Sequence, residues 1–174
     1  MNANGNNPSP RANHSSAVIG NNLYIFGGWN GYVRLRDLYQ LDFDSLEWKE
    51  LTIEEDIPSP RAGMSLCGIK NKLYLFGGSG PSASCYNDLL IFDPKTMKWQ
   101  ETKYSDKEVV KARAGHSMTV VEEKIFIIGG SFGQMYYQDF YSFDTSKFVL
   151  EVSLFVLDPA PEIEVEDDLC KVKL

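Results

Sequence analysis

Cysteine and histidine are scarce in this 174-residue chain, which has three of the first and two of the second. Cys67, Cys85 and Cys170 are odd in number and share no metal-ligand spacing, which argues against a disulfide framework and a metal centre and fits a reducing compartment. Cationic excess is missing too. The formal charge of −7 leaves no basic footprint for phosphates, so general nucleic-acid binding is excluded and a cationic partner surface fits better. Long apolar runs are also absent: Phe148 to Leu157 contains Glu151 and is about half of what crosses a bilayer, so no membrane role is expected. The start, Met1-Asn2-Ala3-Asn4-Gly5-Asn6-Asn7, has neither the basic nor the apolar part of a secretory leader. Residues 1–7 are therefore expected to be a flexible end, and the protein to be cytoplasmic or nuclear. On that expectation the sequon Asn13-His14-Ser15 carries no weight.

What the chain does have is one phrase written three times. Pro8-Ser9-Pro10-Arg11-Ala12-Asn13-His14-Ser15 returns as Pro58-Ser59-Pro60-Arg61-Ala62-Gly63-Met64-Ser65 and as Lys111-Ala112-Arg113-Ala114-Gly115-His116-Ser117. Each copy leads through an apolar run to a glycine pair, Gly27-Gly28, Gly77-Gly78 and Gly129-Gly130, spaced by 50 and then 52 residues. That period belongs to arrays whose unit cannot bury its apolar face alone.

Within each unit the apolar period is two, which predicts strands. Segments such as Ser15 to Ile19 and Leu23 to Phe26 flank a tight polar turn and form a hairpin. The glycine pair ends the second strand, because glycine takes positive φ freely and lets backbone approach closely. A third strand begins at Asp37-Leu38, Asp88-Leu89 and Asp139-Phe140, and a fourth contains Trp48 or Trp99. The expected fold is all-β, with three four-stranded antiparallel units over about 8–57, 58–108 and 109–155. An acidic tail follows over 156–174, where Asp158, Glu162, Glu164, Glu166, Asp167 and Asp168 face only Lys171 and Lys173.

The Arg-x-x-His-Ser phrase, the run into Gly-Gly, the aromatic-Asp pair and the Trp six residues after that Asp resemble the kelch repeat. The resemblance covers residues 8 to 155 and implies three blades of a β-propeller. Two departures stand out: Met64 replaces the His of the second copy, and Phe148 stands where the third copy's Trp is expected, after a shorter turn. Propellers need four to eight blades to close, so three make a partial ring with apolar faces open at both ends. A second copy, further blades of a longer protein, or another subunit should cover them.

Candidate functional residues lie on the loops after each glycine pair. They are Trp29, Tyr32, Arg34 and Arg36 in the first, Pro81, Cys85 and Tyr86 in the second, and Phe132, Met135, Tyr136 and Tyr137 in the third. Aromatic and Arg side chains anchor protein interfaces, so the set predicts a partner-binding rim, with folding back between blades as the alternative for any one residue. Arg11, Arg61 and Arg113 recur beside the innermost strand. They either bond carbonyls and carboxylates of the adjoining blade, with Asp37, Asp88 and Asp139 as natural partners, or ring the axis to grip an acidic ligand. His14 and His116 share one repeat position and read as structural, and Trp48 and Trp99 read as packing.

The resemblance implies a non-enzymatic protein-interaction module, a scaffold or adaptor component, with no cofactor. Its rival is a propeller enzyme of sialic-acid-processing or metal-dependent type that uses the Arg11, Arg61 and Arg113 ring. Against the rival, the chain has no Ser-x-Asp-x-Gly-x-Thr-Trp box, no Glu-x-x-x-Asp-x-x-x-His run and too few histidines for a copper site.

Overall fold

Two-residue turns at Gly20-Asn21, Lys70-Asn71 and Glu122-Glu123 start each sheet, and the first residue of each takes a left-handed φ of 56°, 54° or 55°. That conformation folds alternating apolar strands back on themselves at the register their side chains need. The structure is a computed structural model and describes residues 3–102, 110–147 and 152–155. The acidic segment 156–174 with Cys170, and the stretch 148–151 with Phe148 and Glu151, lie outside the described residues.

The first sheet comprises β1 (Asn4–Gly5), β2 (Ser15–Ile19), β3 (Asn22–Trp29), β4 (Arg34–Asp42) and β5 (Glu47–Glu50), in the order β1-β5-β4-β3-β2. The second runs β6 (Ser65–Ile69), β7 (Lys72–Phe76), β8 (Leu89–Asp93) and β9 (Lys98–Glu101), each paired with the next. In the third, β10 (Ser117–Val121) and β11 (Lys124–Ile128) are followed by a small ribbon, β12 (Ser131–Phe132) and β13 (Met135–Tyr136). The chain then returns to the sheet as β14 (Phe140–Asp144) and β15 (Val152–Phe155). The described residues form an all-β array of three antiparallel blades, as the repeats predict.

Three details differ from the sequence expectation. Within the segment expected to be a loose end, Asn4–Gly5 adds a fifth strand to the first blade, parallel to β5. The first glycine pair does not end its strand: β3 continues through a bulge between Phe26 and Gly28 to Trp29. In the third blade the register places Val152, not Phe148, opposite Phe143, the position that Trp48 holds opposite Leu41 and Trp99 opposite Phe92. The connection before that strand has more residues than in the other two blades, and the missing Trp had removed the only marker of where it ends.

Alternation along the strands builds two apolar layers. Tyr24 and Phe26 of the first blade meet Leu73, Leu75, Phe92 and Trp99 of the second. Tyr74 and Phe76, on the opposite face of that second blade, meet Ile125, Ile127 and Phe143 of the third. Trp99 is wedged edge-on to Phe26, with centroids 5.4 Å apart, and it tilts against Phe92 at 5.1 Å. Burying aromatic and branched side chains face to face in this way is the main force that holds blade to blade.

Candidate functional site

The glycine pairs are where one blade receives the next. All six residues have positive φ, from 58° to 100°. A Cβ on Gly27 would stand 2.9 Å from the Arg61 carbonyl oxygen, and one on Gly77 would stand 2.7 Å from that of Arg113, so only glycine admits the incoming backbone. Arg61 N–H donates to Leu35 O at 3.0 Å, and Gly28 N–H donates to Arg61 O at 2.9 Å. Arg113 repeats the pattern with Tyr86 O at 3.1 Å and Gly78 N–H at 2.9 Å. A third bond completes each junction: Gly63 N–H to Asn13 O, then Gly115 N–H to Gly63 O, both 2.8 Å.

The same arginines turn their side chains into their own blade. Nη1 lies 2.6 Å from Asp37 Oδ1 in Arg11, 2.6 Å from Asp88 Oδ1 in Arg61 and 2.5 Å from Asp139 Oδ1 in Arg113. Nη2 takes the other carboxylate oxygen in each case, and Nη1 also donates to the carbonyl of the first glycine of the pair. The Asp partners are those the repeat period suggested, but they belong to the same blade and not to the adjoining one. With arginine side-chain exposure of 4%, 1% and 0%, these fork-to-fork pairs leave no face for a ligand. The anion-gripping ring is therefore not formed.

Two rim candidates serve these joints. The Tyr86 ring lies under Arg61 at 4.1 Å and the Tyr137 ring under Arg113 at 4.5 Å, a stacking geometry that holds the guanidinium plane. Arg36 sits on β4 and lines a hollow with Glu50, Leu51 and Ile57. Arg34 links two loops through Nε, 3.4 Å from Ser79 Oγ. Cys85 is half-buried, and burial raises its thiol pKa although Arg34 opposes the shift. Cys67 is a core residue whose thiol is pushed up to about 12 by burial.

The histidines part company. His14 is exposed, whereas His116 is buried edge-on to Phe76 at 5.3 Å. Burial, and then the charge of Arg113, lowers the His116 pKa to about 4. Neither of its ring nitrogens has a hydrogen-bond partner among the described residues. The recurring serines do more than the sequence shows: Ser15 Oγ accepts from Leu66 N–H at 2.9 Å, and Ser65 Oγ donates to His116 O at 3.0 Å, so both tie one innermost strand to the next. The repeated Ser was visible, but nothing in its spacing told which blade it reaches.

The remaining rim residues do project. Tyr32 is 92% and Tyr136 86% exposed, and Trp29, Phe132 and Met135 are exposed beside them. Their loops start at equivalent places in each blade, because Ala12 bridges Trp29, Ala62 bridges Ser79 and Ala114 bridges Ser131. A shallow hollow of about 280 Å³ lies among Asn13, Gly63, Gly115, Ser79 and Ser131, so the lead-in turns of all three blades and the loop bases of the second and third open on a common mouth. Among the described residues no three His, Cys, Asp or Glu side chains converge as a metal set.

Comparison with known proteins agrees with this architecture. The family model of the KLHDC2/KLHL20/DRC7 Kelch-repeats domain matches residues 1–152. The chain is 41% identical over 130 residues to Rho GTPase-activating protein gacHH of Dictyostelium discoideum, covering 71% of this chain and 8% of that one. It is 28% identical over 152 residues to human Kelch domain-containing protein 10, covering 83% and 34%. A 35% match over 126 residues to N-(sulfonatooxy)prop-2-enimidothioate sulfolyase of Thlaspi arvense covers 71% and 36%. The chain thus spans about a third or less of the length of these relatives.

Proposed function

The chain belongs to the kelch-repeat family, and on that premise we propose that it is a non-enzymatic protein-interaction module whose loop rim binds a partner protein. The observation that carries this reading is the set Trp29, Tyr32, Phe132, Met135 and Tyr136, large side chains exposed on the equivalent loops of the first and third blades. Such side chains are costly to leave in water and bury much area with few rotors when a partner covers them. The blades supply rigidity beneath them, since the loop bases are pinned by the arginine joints. With a net charge of −7, the scaffold favours a partner of opposite sign. Scaffold or adaptor work in a larger assembly follows from the same rim.

Against an enzymatic reading, no metal-ligand set converges among the described residues. The sulfolyase relative shares the repeats, but the three arginines here are closed by Asp37, Asp88 and Asp139. The test is to identify a partner by cross-linking and mass spectrometry, then measure its affinity for a Trp29→Ala, Tyr32→Ala, Met135→Ala, Tyr136→Ala variant. Because all four are exposed, the variant should keep its melting temperature. Loss of two anchors at about 2 kcal/mol each predicts at least a ~100-fold weaker Kd. A folded variant that binds as tightly as the parent refutes the rim.

A further inference from the structure

Beside the edge strand β9, a hollow of about 650 Å³ opens between that strand and the linker from the first blade to the second. Its described walls come from residues 56–61 and 88–101, so neither open face of the array enters it. Leu90 and Trp99, 8% and 2% exposed, give it an apolar floor, and Asp56 and Glu101 are exposed carboxylates in its lining. Arg61 and Asp88 line it too, but their fork-to-fork pair is neutral as a unit.

Two groups on one face of β9 lack partners. Leu90 stands opposite Glu101 and Phe92 opposite Trp99, so Trp99 and Glu101, two residues apart, project to the same side of the sheet. The Trp99 indole N–H is buried without a hydrogen-bond partner, a state that is costly and rare in folded chains. Glu101 differs from its counterpart in the first blade, Glu50. That residue stands opposite Tyr39, is hydrogen-bonded to the Tyr39 side chain and accepts from Asn6 Nδ2 at 3.1 Å. Leu90 holds the Tyr39 position in the second blade and offers no donor. Neither Glu101 nor Asp56 has a hydrogen bond or ion pair through its side chain among the described residues. Lys98, on the other face of the strand, is taken by Glu55 at 3.7 Å.

We propose that this hollow binds an arginine side chain of a basic peptide segment. The hydrocarbon stem lies on Leu90 and Trp99, the guanidinium serves Asp56 and Glu101 with donors on its two edges, and the adjoining peptide carbonyl accepts from the Trp99 N–H. Carboxylates without a cation, an apolar floor and a donor in want of an acceptor are each matched by one part of that residue. The sign agrees with the net charge of −7. The site stands apart from the loop rim, so either reading can fail alone.

The probe is the capped tripeptide Gly-Arg-Gly, with citrulline in the arginine place as its uncharged twin. Titrated into nitrogen-labelled protein and followed by NMR, the arginine peptide should shift the Trp99 indole N–H signal downfield to saturation. Trp29→Phe and Trp48→Phe identify the other two indole signals. The citrulline peptide should bind at least about 10-fold more weakly. Asp56→Asn and Glu101→Gln alter exposed side chains and should keep the fold, and each should weaken the arginine peptide about 3-fold or more. Asp44→Asn, an exposed carboxylate outside the hollow, should leave binding unchanged. A Trp99 signal that does not move, equal binding of the citrulline peptide, no loss with either hollow variant, or a loss as large with Asp44→Asn overturns the proposal.

Discussion

His116 is buried with both ring nitrogens unpartnered among the described residues, and the same repeat position in the second blade is held by Met64. That contrast invites the substitution His116→Met. Burial and the nearby Arg113 charge hold the folded pKa at about 4 against 6.5 for the free side chain. Between those values the unfolded chain binds a proton that the folded chain does not, so stability falls as pH falls. At about 1.4 kcal/mol per pH unit, the loss is about 2 kcal/mol by pH 5 and about 3 kcal/mol by pH 4. Above pH 6.5 the titration contributes nothing, but the unpaired nitrogens still cost about 1 kcal/mol, which methionine removes. Urea unfolding of parent and variant at pH 7 and pH 5 separates this effect from every carboxylate, because those are common to both proteins. His14 is common as well, and exposed. The variant should be about 1 kcal/mol more stable at pH 7 and about 3 kcal/mol more stable at pH 5. A gap that does not widen on acidification would show that His116 charges freely in the folded state, and the burial argument would fail.

Asp88→Asn leaves the Arg61 guanidinium, 1% exposed, without its counter-charge, and should cost about 3 kcal/mol in urea unfolding at pH 7. A loss under about 1 kcal/mol would mean that the pair is solvated like a surface bridge. Gly77→Ala places a Cβ 2.7 Å from the Arg113 carbonyl at φ 65°, whereas Gly31→Ala at φ 100° meets nothing within 4 Å. Both pay for a left-handed alanine, and the first should lose about 2 kcal/mol more because backbone must shift, as melting temperatures of the pair would show. Equal losses would remove close approach as the reason for that glycine.

The blade count, the strands and the glycine pairs were legible because they are periodic: a period of two within strands and about fifty between units survives without any knowledge of contacts. Arg61 and Asp88 could be matched for the same reason, since each recurs once per unit. Which blade the carboxylate belongs to was not legible, because a separation of 27 residues fixes no direction in space. Tyr86 and Tyr137 could not be told from Tyr32 and Tyr136 by type, and only the guanidinium planes above them draw the first two inward. Asn4–Gly5 escaped notice because a two-residue strand has no period and pairs through backbone alone. The fourth strand of the third blade shifted because its expected aromatic marker is gone and pairing, not side-chain identity, sets its register.

The Arg61 and Arg113 joints each join a backbone held by one unit to a side chain closed within the next, and every unit of some fifty residues repeats the groups from which both sides of a joint are built. Tandem duplication of such a segment copies the whole fastening at once, so a gene can lengthen the array without inventing a compensating contact. Diversification is then confined to the loop tips between Asn30 and Arg34, or between Gly80 and Cys85, which take no part in those backbone bonds. An insertion there leaves the fastening whole, whereas one between Arg61 and Gly77 would tear it.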